Sequence, residues 1–364
     1  MAKKDENMAV DYLTLAALLV KDGHYDRAAV ALENLDISDE GIDRPRFHTL
    51  QGLIQLKLAD YKGALGAFRA ALETGQDNPG IHIYIAQAWY ALGDYDKALA
   101  SIARAGEMAA SKPGVMLMES QIHWDKGDPQ HAWQALLRGE ARFNDNPAFP
   151  RRKVFMLIEL GLYQEAATHG LAYLQRFAAD AEDYIAIGAA LRRSGQPGIA
   201  LNILEPARIQ FPENEKVLLA LALSYADLEE HLTAAGLLEQ AALRNPEYLS
   251  EAAELYQRAG FPMRALFLNE RTIDQKKKLK QRLSLLLEAG LHQQAMDMEE
   301  ALYRVGLLDN EDIRYALAYA AFKTGDFNTA QRHLNLLKRP ALFKKATALR
   351  QAMASCEDTP SRCY

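Results

Sequence analysis

Apolar residues recur along this chain at helical spacing, in blocks that repeat. Tyr184, Ile187, Gly188 and Leu191 stand at i, i+3, i+4 and i+7 and predict one buried helix face. Gly195 predicts the end of that helix, because glycine accepts the left-handed conformation common at a helix C-terminus. Ala200, Leu204 and Ala207 then line a second helix, which Pro212 stops. The small residues at 188, 200 and 207 let two backbones approach closely, with larger side chains filling the gaps. Thirty-four residues on, Leu218, Leu221, Ala222, Tyr225, Ala234, Leu238, Ala241 and Pro246 repeat the pattern. A fixed period of this length predicts a solenoid of stacked helix pairs.

The most regular marker is an alanine early in each second helix, at 28, 64, 98, 132, 166, 200, 234, 265, 295 and 330. Five residues before it stands a glycine in eight repeats; Ala59 and Glu229 occupy the place in the other two. The spacing falls to 31 and 30 residues around Ala265, so the repeats within 247–309 are shortened and tighter connections are expected there. Repeat 5 is irregular, with Gly170 and Tyr173 in place of the usual large and small pair, and a kink is expected near 144–150. After Pro340, the residues Leu342, Phe343, Ala346, Leu349 and Met353 predict an amphipathic helix that covers the last stacking face. The expectation is one continuous domain over 9–355 and a disordered tail over 356–364.

These markers resemble the tetratricopeptide (TPR) repeat, a two-helix unit of about 34 residues. The resemblance implies an all-α, right-handed superhelical solenoid of about ten helix pairs that binds a protein or peptide in the groove lined by its first helices. At the family's groove positions it places Tyr90 and Gln87, Trp124 and Gln121, Arg151 and Phe155. Arg192, Arg193, Glu254 and Arg258 follow, then Lys277 and Lys280, and finally Tyr315, Tyr319 and Phe322. Rigid rings beside arginines suit peptide recognition, although the same side chains can instead pack on the next repeat. Trp89 and Trp133 fall at core positions. Leu13 and Ala17 stand where co-chaperone members carry Lys and Asn, so no carboxylate clamp is expected. A narrower likeness lies in Glu251–Tyr256, Lys278–Leu283 and Tyr315–Tyr319, which are similar to bacterial TPR proteins accompanying TonB–ExbB–ExbD systems. It implies a periplasmic accessory of envelope energy transduction. A cytoplasmic adaptor and a self-assembling structural solenoid, hence a homo-oligomer, are the alternatives.

Charge adds a second feature. The net charge is only −6, but residues 262–350 carry 16 basic against 10 acidic side chains while 1–261 carry 25 against 36. The densest run contains Lys276, Lys277, Lys278 and Lys280; it reads as a solvated face or as a contact for an acidic protein. Without interleaved aromatics it does not suggest nucleic acid. No apolar run reaches the ~18 residues of a membrane span. Asp5, Glu6 and Asp11 interrupt any signal-peptide pattern, so the chain is cytoplasmic unless a leader has been removed ahead of it. Cys356 and Cys363 are close enough in sequence for a local disulfide, and are also readable as two free thiols or as partners in metal or intermolecular pairing.

Catalytic signatures are absent: there is no Walker A loop, no GxGxxG, no HExxH, no GxSxG and no paired CxxC. His123 and His131 flank a turn but show no further ligand at metal spacing, so they read as surface histidines. No enzyme activity, cofactor or metal is expected.

Overall fold

The computed structural model describes residues 11–358, and among them the chain is helix and turn without strand. Its contacts divide it into two compact bodies, one ending at Lys153 and the other beginning at Val154, within the helix Ala148–Glu159. The first body pairs Tyr12–Lys21 with Tyr25–Glu33, Arg44–Lys57 with Tyr61–Glu73, Ile81–Ala91 with Tyr95–Ala105, and Pro113–Asp125 with Pro129–Arg142. In the second body Ala181–Arg193 pairs with Pro197–Gln210, Glu215–Asp227 with His231–Ala242, Leu249–Arg258 with Pro262–Glu270, and Glu311–Lys323 with Phe327–Asn335. The arrangement is an all-α solenoid of helix pairs.

One turn geometry makes the pairs. The residue five before each marker alanine is left-handed in all ten repeats, from Gly23 (φ 80°) to Gly325 (φ 82°), and Ala59 and Glu229 adopt it too, at φ 63°. In four repeats an aspartate follows at the N-cap of the second helix. Asp60, Asp94, Asp128 and Asp326 each accept a hydrogen bond from the backbone N–H three residues on, at 3.0–3.2 Å. Such a cap contributes about 1 kcal/mol to the helix it opens.

All ten marker alanines are fully buried, at 0 % exposure. Their small side chains admit the facing helix, and glycine does the same where the approach is closest. A Cβ on Gly188 would lie 2.9 Å from Leu204 Cδ1, below any ordinary contact. Repeat 5 restores the fit by exchange: Ile187 fills the space over Gly170, while Tyr173 is buried and its hydroxyl donates to Asp183 at 3.0 Å. Among the described residues of the first body, buried clusters centre on Ala28, Phe68 and Ala98. In the second, one cluster runs from Val154 to Ala320 and another joins Ala330 to the last helix.

Four details differ from the sequence expectation. The shortened repeats lose residues from helices rather than from connections. Pro262–Glu270 has 9 residues where Pro197–Gln210 has 14, and the second helix of repeat 9 is broken into His292–Met296 and Glu299–Arg304. An extra turn, Glu107–Ala110, follows Gly106 (φ 54°), concealed in the sequence because the alanine period there is still 34 residues. Trp89 and Trp133 are half-buried rather than core: Lys97 lies 4.3 Å over the first ring and Lys153 5.1 Å over the second. The final helix, Pro340–Asp358, buries Leu342, Ala346, Leu349 and Met353 but leaves Phe343 49 % exposed. It also continues past 355 and buries Cys356, so the proposed tail is helical to Asp358; Cys363 and the rest of that tail lie outside the described residues.

Candidate partner-binding surface

In the first body three of the expected groove residues, Tyr90, Gln121 and Trp124, are engaged by side chains that the groove positions did not nominate. Asp125, the last residue of the helix Pro113–Asp125, accepts the Tyr90 hydroxyl at 2.6 Å and the Gln121 amide at 2.7 Å. Burial, and then this hydrogen bond, push the Tyr90 phenol up to about 12. Trp124 is half-buried, and the Arg152 guanidinium stands 5.5 Å from its ring. Arg151 is also half-buried.

The second body uses its arginines in the same way. Arg192 donates to Asp227 at 3.0 Å, a residue 35 positions on, the separation that links Tyr90 to Asp125. Arg193 donates to the Tyr163 hydroxyl at 2.8 Å and stacks on its ring at 5.0 Å. Arg258 pairs with Glu254 at 2.5 Å. Phe155 is half-buried. Tyr315, Tyr319 and Phe322 pack against the last cluster. Lys345 approaches the Tyr315 ring at 5.9 Å, Lys323 lies 5.8 Å over Tyr319, and Phe322 stacks on Phe327 at 6.0 Å. In the basic run, Lys277 pairs with Glu251 at 2.8 Å and Lys278 reaches the Glu270 carbonyl, whereas Lys276 and Lys280 are exposed. A helical period shows which face a side chain shares, not whether the adjacent repeat already uses it.

Of the expected residues, Gln87 borders open space. A groove of about 500 Å³ runs between the first helices of repeats 2, 3 and 4. Its floor is Ile81, Ile83 and Val115, with Tyr84, Met108 and Met118 around it. Amide edges come from Gln76, Asn78 and Gln87; the Gln76 side chain is itself held by Thr49 at 2.9 Å. Among the described residues, Lys112 is the only charged one of the lining. The N-terminal turns of Ile81–Ala91 and Pro113–Asp125 also border the groove, through Ile81, Gly114 and Val115. Of these residues the groove positions had nominated only Gln87. Met108 and Lys112 arrive with the extra turn, for which the period carries no signal.

Two sequence-family models, both described as tetratricopeptide repeat, match residues 55–118 and 185–250. No curated protein matches the sequence significantly. Among solved structures, the C-terminal part of a TPR repeat-containing protein from Cytophaga hutchinsonii is 16 % identical with a TM-score of 0.53, covering 68 % of this chain and 98 % of that one. A tetratricopeptide repeat protein from Parabacteroides merdae is 15 % identical with a TM-score of 0.46, at the same coverages of 68 % and 98 %. At 16 % identity the first of these likenesses is one of fold. With two repeat matches, ten buried marker alanines and ten left-handed turns, the chain belongs to the tetratricopeptide-repeat superfamily.

Proposed function

We propose that this protein is an interaction scaffold that takes an extended, acidic peptide segment of a protein partner into the groove between Tyr84, Gln87 and Lys112. TPR proteins bind protein or peptide partners, and the observation that carries the finer reading is the groove's lining. It offers an apolar floor, side-chain amides that can donate to and accept from a peptide backbone, and one cation with no carboxylate to neutralise it. Two helix N-termini add partial positive charge at the same place. An acidic peptide with apolar side chains fits these terms, and an arrayed set of extended peptides tests them. Binding should favour acidic sequences, weaken about tenfold in Tyr84→Ala, and lose its preference for acidic residues in Lys112→Glu. Equal binding of acidic and basic peptides by the unaltered protein would refute the reading.

An accessory role in a TonB-type envelope system is a finer alternative. The apolar positions of the segments suggesting it are largely interior, with Ala252, Ala253, Leu255, Leu279, Leu283, Leu317 and Ala318 all buried. They therefore report core packing, which any such array shares, rather than a surface a partner would read.

A further inference from the structure

The turn joining the two helices of repeat 4 gathers three metal-ligating side chains. His123 comes from the last turn of Pro113–Asp125, Asp128 is the N-cap of Pro129–Arg142, and His131 lies in the first turn of that helix. Donor atoms of the three all lie within 4.8 Å of one another. Asp128 Oδ2 is 2.6 Å from His131 Nδ1 and 3.8 Å from His123 Nδ1, and the imidazole rings face each other at 5.3 Å between centroids. The convergence follows from the fold. Left-handed Gly127 reverses the chain, and Asp128 spends Oδ1 on the His131 backbone N–H, which leaves Oδ2 toward the rings.

A second observation points to a ligand. His123 Nδ1 is buried and has no hydrogen-bond partner. A buried ring nitrogen without a partner, directed at a carboxylate and a second imidazole, is what an ion would satisfy. Nearby charges are already paired, Glu119 with Arg138 at 2.7 Å and Lys126 with Asp96 at 2.5 Å, so the cluster faces no free cation from them. Access exists from both sides: His123 borders a cavity of about 690 Å³, and the His131 side chain is 60 % exposed.

We propose that His123, Asp128 and His131 bind a borderline divalent transition metal ion, Zn2+ first among them. Two imidazoles and one carboxylate are the ligand set of such ions, whereas Mg2+ and Ca2+ prefer oxygen alone. Ligand atoms around Zn2+ stand about 3.4 Å apart at bond lengths near 2.1 Å, so small side-chain rotations that widen the 2.6 Å contact and shorten the 3.8 Å one would seat the ion. The fourth position stays open to water or to a donor from a partner. The site is independent of the peptide groove, which none of its three residues lines.

Titration of the chelator-stripped full chain with ZnCl2 alone, followed by calorimetry and by Co2+ absorption, tests the site. The unaltered protein should bind Zn2+ with one-to-one stoichiometry and show a higher Tm in its presence, while MgCl2 and CaCl2 do neither. Asp128→Asn keeps the helix cap, since Asn caps as well as Asp, and should abolish both effects. His131→Ala removes an exposed ring and should do the same, which decides the matter if the first variant folds poorly. Absence of stoichiometric Zn2+ uptake overturns the proposal. So does uptake that survives both substitutions, since the ion would then sit on other histidines.

Discussion

Ala59 and Glu229 share one backbone conformation, φ 63° in each, at the place where eight other repeats use glycine. A side chain in this left-handed region costs about 1–2 kcal/mol, and glycine returns part of that through its greater freedom when unfolded. Ala59→Gly and Glu229→Gly should therefore each stabilise the fold by roughly 0.5–1 kcal/mol. At Gly93 the reverse holds: a Cβ would meet nothing within 4 Å, so the cost of Gly93→Ala is the backbone's alone. Thermal unfolding followed by circular dichroism measures all three, and a lower Tm for both glycine substitutions would contradict the shared strain.

Ala200 and Gly188 probe packing rather than backbone. Ala200 is fully buried beside the Gly188–Leu204 approach, so Ala200→Leu should overpack the interface and cost roughly 1–3 kcal/mol. Gly188→Ala should also destabilise, because its Cβ meets Leu204 at 2.9 Å. Denaturant melts of the two variants provide the check, and an unchanged midpoint for Ala200→Leu would show that the alanine register is wrong.

The aspartate caps give the fold an acid-sensitive part. Asp94 is held below the ordinary carboxylate value by the Lys97 side chain and then the Lys97 backbone N–H. In Asp128 and Asp326 the backbone N–H groups of His131 and Thr329 have the leading effect. A carboxyl depressed in the folded state contributes stability above its unfolded pKa of about 3.9 and loses it as pH falls through the folded value. Tm should thus fall on acidification below roughly pH 4. The triple variant Asp94→Asn, Asp128→Asn and Asp326→Asn should flatten that fall. A Tm-versus-pH curve parallel to that of the unaltered protein would rule the caps out as its source.

The basic run tests the charge asymmetry. Asp274 caps the helix that carries it, accepting the Lys277 N–H at 2.8 Å, so the lysines sit at the positive helix end. Exchanging Lys276, Lys277, Lys278 and Lys280 for Glu should leave helicity intact and change Tm little, because the gain through the dipole is offset by loss of the exposed Lys277–Glu251 pair. The same exchange should weaken capture of an acidic protein, with a steep dependence on salt. If unaltered and exchanged proteins retain an acidic probe such as polyglutamate equally, the run is only a solvated face.

Much of the architecture was legible beforehand. The marker alanines and the residues five before them are local requirements, set by how near two helices approach and by how the chain reverses. Each leaves a trace at its own position. Tyr90 and Arg192 were less legible, because their environment depends on residues a full repeat away. Asp125 and Asp227 occupy those groups, and nothing within either repeat announces it.

By itself, the order of residues determined the helix pairs, their period, the turns and the buried face, because propensity and spacing act within about one repeat. Tertiary structure alone decided that Tyr90, Arg192 and Arg193 bridge between repeats, that an extra turn opens a groove beside Tyr84, and that Asp128 stands between two histidines. Those outcomes depend on distances between separate helices, and such distances follow from packing rather than from sequence separation.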